Sequence, residues 1–302
     1  MTQTLRHWTG RIALLGIGLV FIIAGGLKAL DPEGFAEQVS GYKIVSGGAA
    51  RAVAYTLIPL EVALGAALLL DYRRRWAIAA AVLLLAGFLG LMSYTWASGG
   101  DVSACGCFGR FAKRTPAETV LEDLGFIAMA LLGLLARRRK LEGGALRAGA
   151  AVASMAATLA FLPLAPRLPL DDIVTGLRPG MPFEDLNLSL PDAAFSRGRH
   201  LVALLALEDE ASGPAADALS ALAAQPGAPA VAVLYADDEA VKDAFFWTHA
   251  PAYPMYQVIH EEMRALYRRL PRFFLVEEGM VTRIWEMVPE HEALLASAWA
   301  PR

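Results

Sequence analysis

Charged residues are scarce in this chain. Only 19% of its 302 residues are Asp, Glu, Lys or Arg, whereas 56% are hydrophobic and the mean hydropathy is +0.44. Soluble globular domains carry about 25% charged residues, so the composition excludes an ordinary soluble protein and indicates a membrane protein. The net charge of −3 provides no basic surface for nucleic acid, and we expect no nucleic-acid partner.

Cysteine is rarer still, because the whole chain has only Cys105 and Cys107. A domain held together by several disulfides is therefore excluded. None of the five histidines lies in the cysteine segment, and a zinc site would need about two further ligands. Two thiolates alone suit a soft ion such as Cu(I), but we rank this below redox exchange and predict no metal site.

The composition changes near residue 168. Before it, runs of Ala, Leu, Gly and Val alternate with short charged clusters, and after it charged residues, His and Pro are interspersed as in a globular domain. We expect a membrane domain at 1–142, a further helix and tether at 143–170, and a soluble domain at 171–302. Segments of the roughly 20 residues needed to cross a bilayer lie at 12–30, 52–70, 76–98, 119–136 and 148–166.

Basic clusters predict the orientation, since Lys and Arg in short loops resist translocation. The densest clusters, 73–75 and 137–140, lie two predicted spans apart, and Arg6 and Arg11 precede the first span. All of them can be cytoplasmic if the N-terminus is cytoplasmic. The cysteine segment and the soluble domain are then on the periplasmic side of a bacterial inner membrane, although the basic residues at 110–114 count against this orientation.

The cysteine pair is the first candidate for chemistry. The intervening Gly106 gives the backbone the freedom that a disulfide between Cys105 and Cys107 would require. Such a small ring would be strained and easily reduced, which favours thiol–disulfide exchange over a stabilising role. A static bridge or two reduced thiols remain the alternatives.

Carboxylates in the apolar runs need partners, because burying an unpaired charge in a membrane costs several kcal/mol. Glu61 lies within the second predicted span, and Lys28 near the end of the first would approach it if the two helices pack antiparallel. A structural ion pair and a proton-transfer or quinone site are both open. Glu122 and Asp123 lie near the start of the fourth span, where they would accept protons from the thiols or simply favour the helix terminus.

The cysteine motif Cys-Gly-Cys-Phe-Gly at 105–109 resembles that of the MauE family, methylamine-utilisation proteins related to DoxX. Other landmarks of the resemblance, which covers about 8–140, are Gly25-Gly26-Leu27-Lys28, Asp31-Pro32, Phe35, Tyr42, and Pro59-Leu60-Glu61 with Gly65. The resemblance implies a four-helix transmembrane bundle and a role in the maturation of periplasmic proteins, including disulfide formation in methylamine dehydrogenase.

The soluble domain alternates strand and helix patterns. Such an order predicts parallel first strands, and the last two predicted strands flank the tight turn Glu277-Glu278-Gly279. The predicted strands are 201–207, 231–235, 256–259, 270–276 and 280–285, and the predicted helices are 213–224, 238–249, 261–269 and 290–299.

This ending resembles the thioredoxin superfamily, in which a cis-proline precedes the penultimate strand, and Pro271 matches that position. The resemblance fails where such proteins carry Cys-X-X-Cys, because residues 208–214 contain no sulfur. Ser212 is no substitute, since the sequence supplies no evident base to activate its hydroxyl. A thioredoxin-like domain without thiols could still bind protein, so we predict that Leu270 and Pro271 dock a client or cover the cysteine loop.

Three functions are consistent with these features. The first is an accessory thiol–disulfide factor that acts through Cys105 and Cys107 on an exported client or a periplasmic thiol oxidoreductase. The second is a non-enzymatic membrane assembly protein with a structural cysteine pair. The third is a quinone-linked thiol oxidoreductase. We expect no cofactor for the first two functions and a quinone for the third. We find no phosphate-binding loop, dinucleotide fingerprint, zinc-hydrolase motif or catalytic triad.

Overall fold

A computed structural model describes residues 3–42, 44–97, 115–136, 144–190 and 195–295. The chain forms two compact units, residues 1–170 and residues 171–302. The first is helical and the second contains a β-sheet. The segment that carries Cys105 and Cys107 lies outside the described residues, as does the basic cluster at 137–140.

The first unit is a bundle of apolar helices. Asp31 caps the second helix by accepting a hydrogen bond from the Gly34 backbone N–H, and a reciprocal capping box between Thr115 and Glu118 begins the fifth. A 3-10 turn at Gly133–Leu135 continues the fifth helix. The helices are α1 (Gln3–Leu30), α2 (Pro32–Gly41), α3 (Gly47–Leu69), α4 (Arg74–Ala97), α5 (Pro116–Leu132) and α6 (Gly144–Phe161).

Four helices of the described chain, α1, α3, α4 and α6, are long and apolar enough to cross a membrane. The segment predicted as the span 119–136 differs from this expectation, because α5 has only 17 residues before the 3-10 turn. Its first two turns carry Glu118, Glu122 and Asp123, which shorten the apolar part. The predicted span 148–166 is also displaced, since α6 ends at Phe161 before two prolines.

Glycines bring α1 and α3 into close contact. A Cβ atom on Gly65 would lie 2.7 Å from the Gly18 backbone oxygen and 2.9 Å from the Ile22 backbone nitrogen. Farther along the same interface, a Cβ on Gly25 would lie 2.8 Å from Val62 Cγ2. The bundle core beside these contacts is formed by large apolar side chains, including Leu14, Ile17, Phe21, Leu68 and Leu85.

The second unit is an α/β domain with one mixed five-stranded sheet. The strand order is β3-β2-β1-β4-β5, with β1–β2 and β2–β3 parallel and the two pairs β1–β4 and β4–β5 antiparallel. The predicted parallel start and final hairpin are therefore confirmed. The elements are α7 (Asp171–Val174), β1 (Arg199–Leu204), α8 (Ser212–Ala223), β2 (Ala230–Tyr235), α9 (Glu239–His249), β3 (Met255–Gln257), α10 (His260–Arg264), β4 (Arg272–Glu277), β5 (Met280–Trp285) and α11 (His291–Leu295).

The central strand β1 is covered on both faces. Leu201 and Ala203 pack with residues of α8 and α9, including Leu219. Val202 and Leu204 pack on the opposite side with α10 and with the chain that precedes β1. The near-continuous apolar run of β1 is what a strand buried on both faces requires.

We expect Gly65→Ala to lower the free energy of unfolding by about 1–3 kcal/mol, because the added methyl group would meet backbone atoms that cannot move aside. Gly26→Ala is the matched control, since nothing lies within 4 Å of a Cβ at that position. Thermal or denaturant unfolding of the full chain in detergent measures both. Equal stability of the two variants would contradict the close α1–α3 contact.

Candidate functional site: a buried ion pair and its cavity

Lys28 and Glu61, the two charged residues predicted to meet in the membrane domain, are in contact. Lys28 lies in the last turn of α1, and Glu61 lies in α3, two residues after the helical Pro59. The Lys28 Nζ donates hydrogen bonds to Glu61 Oε1 at 2.6 Å and to Oε2 at 2.8 Å. The two side chains are only 5% and 2% exposed, so the pair is desolvated on nearly all sides.

Two aromatic rings complete the surroundings of the ammonium group. The Lys28 Nζ lies 5.0 Å from the centroid of the Phe35 ring and 5.2 Å from that of Phe88. Both distances are within the range of a cation–π interaction, which strengthens when the cation is desolvated. The carboxylate and the two rings together offset part of the cost of removing Lys28 from water.

The ion pair borders a small cavity that also contains a second buried carboxylate. The cavity measures about 60 Å³, which is room for a few water molecules. Asp123 from α5 lines it and is 2% exposed. The other lining residues are Lys28, Phe35, Gln38, Val39, Tyr42, Val53, Leu57, Phe88, Leu91 and Met92.

This arrangement can hold and exchange protons. The two buried carboxylates, Glu61 and Asp123, share one end of the bundle with the Lys28 ammonium group. The other side chains that line the cavity are mainly apolar. Three ionisable side chains therefore meet here in a largely apolar environment.

The cysteine segment is connected to the same end of the bundle. In sequence, Cys105 and Cys107 lie between Ala97, the last residue of α4, and Thr115, the cap of α5. Met92 of α4 and Asp123 of α5, which are near those two attachment points, both line the cavity. The cysteines themselves lie outside the described residues.

Known proteins match the part of the chain that forms this site. Residues 6–136 match the family model described as "Methylamine utilisation protein MauE". This part is similar to MauE. A curated relative, "Protein TlpB" of Flavobacterium psychrophilum, is 35% identical over 108 residues, which are 35% of this chain but only 26% of that protein. No solved structure matches the chain significantly.

The MauE region, residues 6–136, contains four of the predicted site residues that the structure describes. It brings Lys28 and Glu61 together and places Asp123 at the same cavity. Glu122 is half-buried and is not among the described residues that line the cavity. Of the two neighbouring acids, only Asp123 therefore faces the ion pair's cavity.

Outside the MauE region, the second unit places Leu270 and Pro271 directly before β4, and the peptide bond between them is cis. Both residues are partly exposed, and Leu270 packs against one of the two apolar clusters. Ser212 is fully buried, and its hydroxyl donates to the Ala206 backbone oxygen at 2.6 Å. This hydroxyl is committed to the backbone, so Ser212 is not positioned as a nucleophile.

Several site residues were not predicted from the sequence. Phe88 and Met92 lie in a uniformly apolar run, which gives no indication of the residues that will face Lys28. Arg272 was also missed as a functional or structural residue, although its Nη1 donates to Asp171 Oδ1 at 2.8 Å and Arg268 lies 3.4 Å from Asp171 Oδ2. In the sequence, the only indication of this contact was that Arg268 and Arg272 lie four residues apart near Pro271.

We expect Glu61→Gln or Lys28→Met to lower the free energy of unfolding by about 3–5 kcal/mol, because each leaves a buried charge without its partner. The double variant Lys28→Met/Glu61→Leu should recover most of that loss. Glu33→Gln is the control, because it disrupts the exposed pair with Arg51 and should cost less than about 1 kcal/mol. Additive losses in the double variant would contradict a direct interaction.

Proposed function

We propose that this protein is a membrane-bound accessory factor for thiol–disulfide chemistry in the maturation of exported proteins. The observation that carries the proposal is that the Cys105–Cys107 segment joins α4 to α5 at the end of the bundle that holds the Lys28–Glu61 pair and Asp123. The match to MauE and the similarity to Protein TlpB are compatible with a membrane-associated accessory role in thiol or redox processes.

The proposed reaction is exchange between the cysteine pair and a second dithiol. A thiolate of the client attacks the Cys105–Cys107 disulfide, forms a mixed disulfide and releases one cysteine of the pair. The second client thiolate then displaces the other cysteine. The client gains one disulfide while Cys105 and Cys107 become two thiols, so two electrons move to this protein, and a periplasmic thiol oxidoreductase restores the disulfide by the same exchange.

Proton transfer accompanies each of these steps, because thiolates are the attacking and leaving groups. Asp123 lies at a cavity in the membrane unit together with the Lys28–Glu61 pair. We propose that Asp123 accepts and returns protons there and that the ion pair holds the cavity open. Glu122, on the adjacent face of α5, has the more exposed carboxylate and would pass protons to water.

The proposed topology has five membrane crossings, with the cysteine segment and the second unit on the periplasmic side of the inner membrane. The packing of α5 supports a fifth crossing. At one end Asp123 lines the cavity with Lys28, and at the other a Cβ on Gly10 would lie 2.2 Å from the Ala136 backbone nitrogen. The 13 residues from Asp123 to Ala136 rise by about 20 Å along α1. The whole stretch from Pro116 to Ala136 rises by about 30 Å, close to the thickness of the hydrocarbon core.

The second unit is proposed to be a thioredoxin-like binding module. A parallel strand–helix–strand arrangement followed by an antiparallel hairpin supports this assignment. Leu204 at the end of β1 pairs with Arg272 at the start of β4, so residues 208–214 and Leu270-Pro271 lie at the same edge of the sheet. Because that unit has no cysteine, its proposed task is to dock a client beside Leu270 and Pro271, a methylamine dehydrogenase-type protein being one such client.

We expect the double variant Cys105→Ser/Cys107→Ser to abolish disulfide formation in the client, because sulfur is the required nucleophile. A single Cys107→Ser variant should instead accumulate a mixed disulfide with the periplasmic oxidoreductase, because the Cys105 thiolate attacks the disulfide of that protein and no second cysteine is left to release it. Non-reducing electrophoresis and mass spectrometry of membranes detect both outcomes, and Ser103→Ala is the control from the same segment. Normal client maturation in the double variant would leave only the assembly role.

Client maturation with the native cysteine pair also tests the docking surface. Leu270→Ala should reduce the yield of client disulfide, whereas Leu188→Ala, a partly buried leucine of the same apolar cluster, should leave it unchanged. An unchanged yield in Leu270→Ala would argue against docking at this edge.

The five-crossing topology predicts that Cys105 and Cys107 react with a membrane-impermeant thiol reagent applied to the periplasmic side after reduction. A cysteine introduced at the solvent-exposed Glu239 of the second unit should react from the same side. Labelling of the Glu239→Cys side chain from the cytoplasmic side alone would contradict the fifth crossing, and cytoplasmic labelling of the native pair would contradict the proposed chemistry.

A further inference from the structure

An arginine-lined cleft lies at the end of the bundle opposite to the Lys28 cavity. Its volume is about 570 Å³, and Arg74, Arg75, Leu134 and Ala136 line it. Arg74 begins α4, whereas Met92 of the same helix lines the Lys28 cavity. The 18 residues between them correspond to about 27 Å, so the two sites lie near opposite surfaces of a bilayer.

The cleft carries a net positive charge. Arg74 is only 8% exposed, and it shares Asp71 with Arg11 at distances of 3.6 Å and 3.5 Å. Within the described part of the chain, Arg75 forms no ion pair with a carboxylate. Among the described residues that line the cleft, the only charged groups are the guanidinium groups of Arg74 and Arg75, which favours an anionic ligand.

The position of the two arginines at the start of α4 increases the positive potential of the cleft. Arg74 and Arg75 occupy the first turn of α4, which contains no acidic residue. The helix dipole places partial positive charge at that end, so a further negative group beside Asp71 would be favourable there. Guanidinium groups bind phosphate oxygens in bidentate geometry, and the first backbone N–H groups of the helix can add to that binding.

The residues around the cleft are those of a membrane–water interface. Trp76, which follows Arg75, is 75% exposed, and Trp8 of α1 is 59% exposed. Trp96 at the other end of α4 is 57% exposed, and the 20 residues from Trp76 to Trp96 span about 30 Å, the thickness of the hydrocarbon core. Exposed tryptophans mark headgroup level, and the exposed Leu83 one to two turns farther into the span offers an apolar surface for acyl chains.

We propose that the Arg74–Arg75 cleft binds the phosphate of an anionic phospholipid. The guanidinium groups hold the phosphodiester, Leu134 and Ala136 contact its glycerol end, and the acyl chains follow the exposed face of α4. The lipid neutralises the excess charge at the start of α4 and fixes that end of the bundle at the membrane surface.

The test compares lipid binding by the full-length protein and its Arg75→Gln variant in nanodiscs of phosphatidylcholine doped with phosphatidylglycerol or cardiolipin. Arg75→Gln should weaken binding of the anionic lipids about fivefold, as one basic residue near a membrane surface contributes, and should remove the lipid-dependent rise in melting temperature. Arg51→Gln is the control, because Arg51 is an exposed arginine at the opposite end of α3, paired with Glu33.

Three outcomes would overturn the proposal. The first is equal binding of phosphatidylglycerol by Arg75→Gln and the unmodified protein. The second is an equal loss in Arg51→Gln, which would indicate general charge attraction. The third is full displacement of the lipid by inorganic phosphate, which would make the cleft a site for soluble phosphate. Native mass spectrometry distinguishes retained lipid from free phosphate, and circular dichroism of Arg75→Gln confirms that the variant is folded.

Discussion

The buried ion pair between Lys28 and Glu61 is the constraint on which the membrane unit depends. Neither charge is stable in this apolar environment without the other, so α1 and α3 must meet at one register. The glycine contacts of Gly18, Gly25 and Gly65 allow the two backbones to approach closely enough for that meeting. Once this register is set, the aliphatic and aromatic side chains around Lys28 form the walls of the cavity.

The two ends of the bundle differ in charge and therefore in chemistry. One end holds a small cavity lined by Asp123 and by Lys28, whose partner Glu61 is also buried, and the described helices on either side of the cysteine segment end and begin near it. The other end holds arginines, one compensating aspartate and an open cleft. The first arrangement suits proton transfer, whereas the second suits attachment to an anionic surface. Such separation is consistent with a protein that acts at one face of a membrane and is held in place at the other.

The second unit is an α/β domain without cysteine. The buried Ser212 hydroxyl is bonded to the backbone, and residues 208–214 contain three carboxylates and no sulfur. Asp171, the first residue of the second unit, binds Arg272 beside Pro271. The start of this unit is therefore held at the edge of the sheet where β4 begins. Both cysteines of the chain precede the second unit in sequence, so the proposed exchange chemistry belongs to residues before 171.

Sequence periodicity and composition predicted the long apolar helices, the parallel first strands and the final hairpin of β4 and β5, because apolar periodicity is set locally by each element. The short helices α2 and α7 were not predicted. The boundaries that failed were decided by tertiary contacts. The helix predicted at 261–269 ends at Arg264, since the Ala265 backbone oxygen instead accepts a hydrogen bond from Gly176. The apolar span predicted at 119–136 became the shorter α5, whose acidic first turns face the cavity and the bundle surface.

From the residues alone it follows that Glu61 needs a buried cation and that the only two cysteines lie in one short segment. The sequence also indicated Lys28 as the partner, since few cations are near enough in the apolar runs. Helix packing was needed to show that Phe35, Phe88 and Asp123 gather around that pair, and that Arg74 and Arg75 line a cleft at the other end. A uniformly apolar sequence does not show which of its distant residues will be in contact, because helix packing decides which of them face one another.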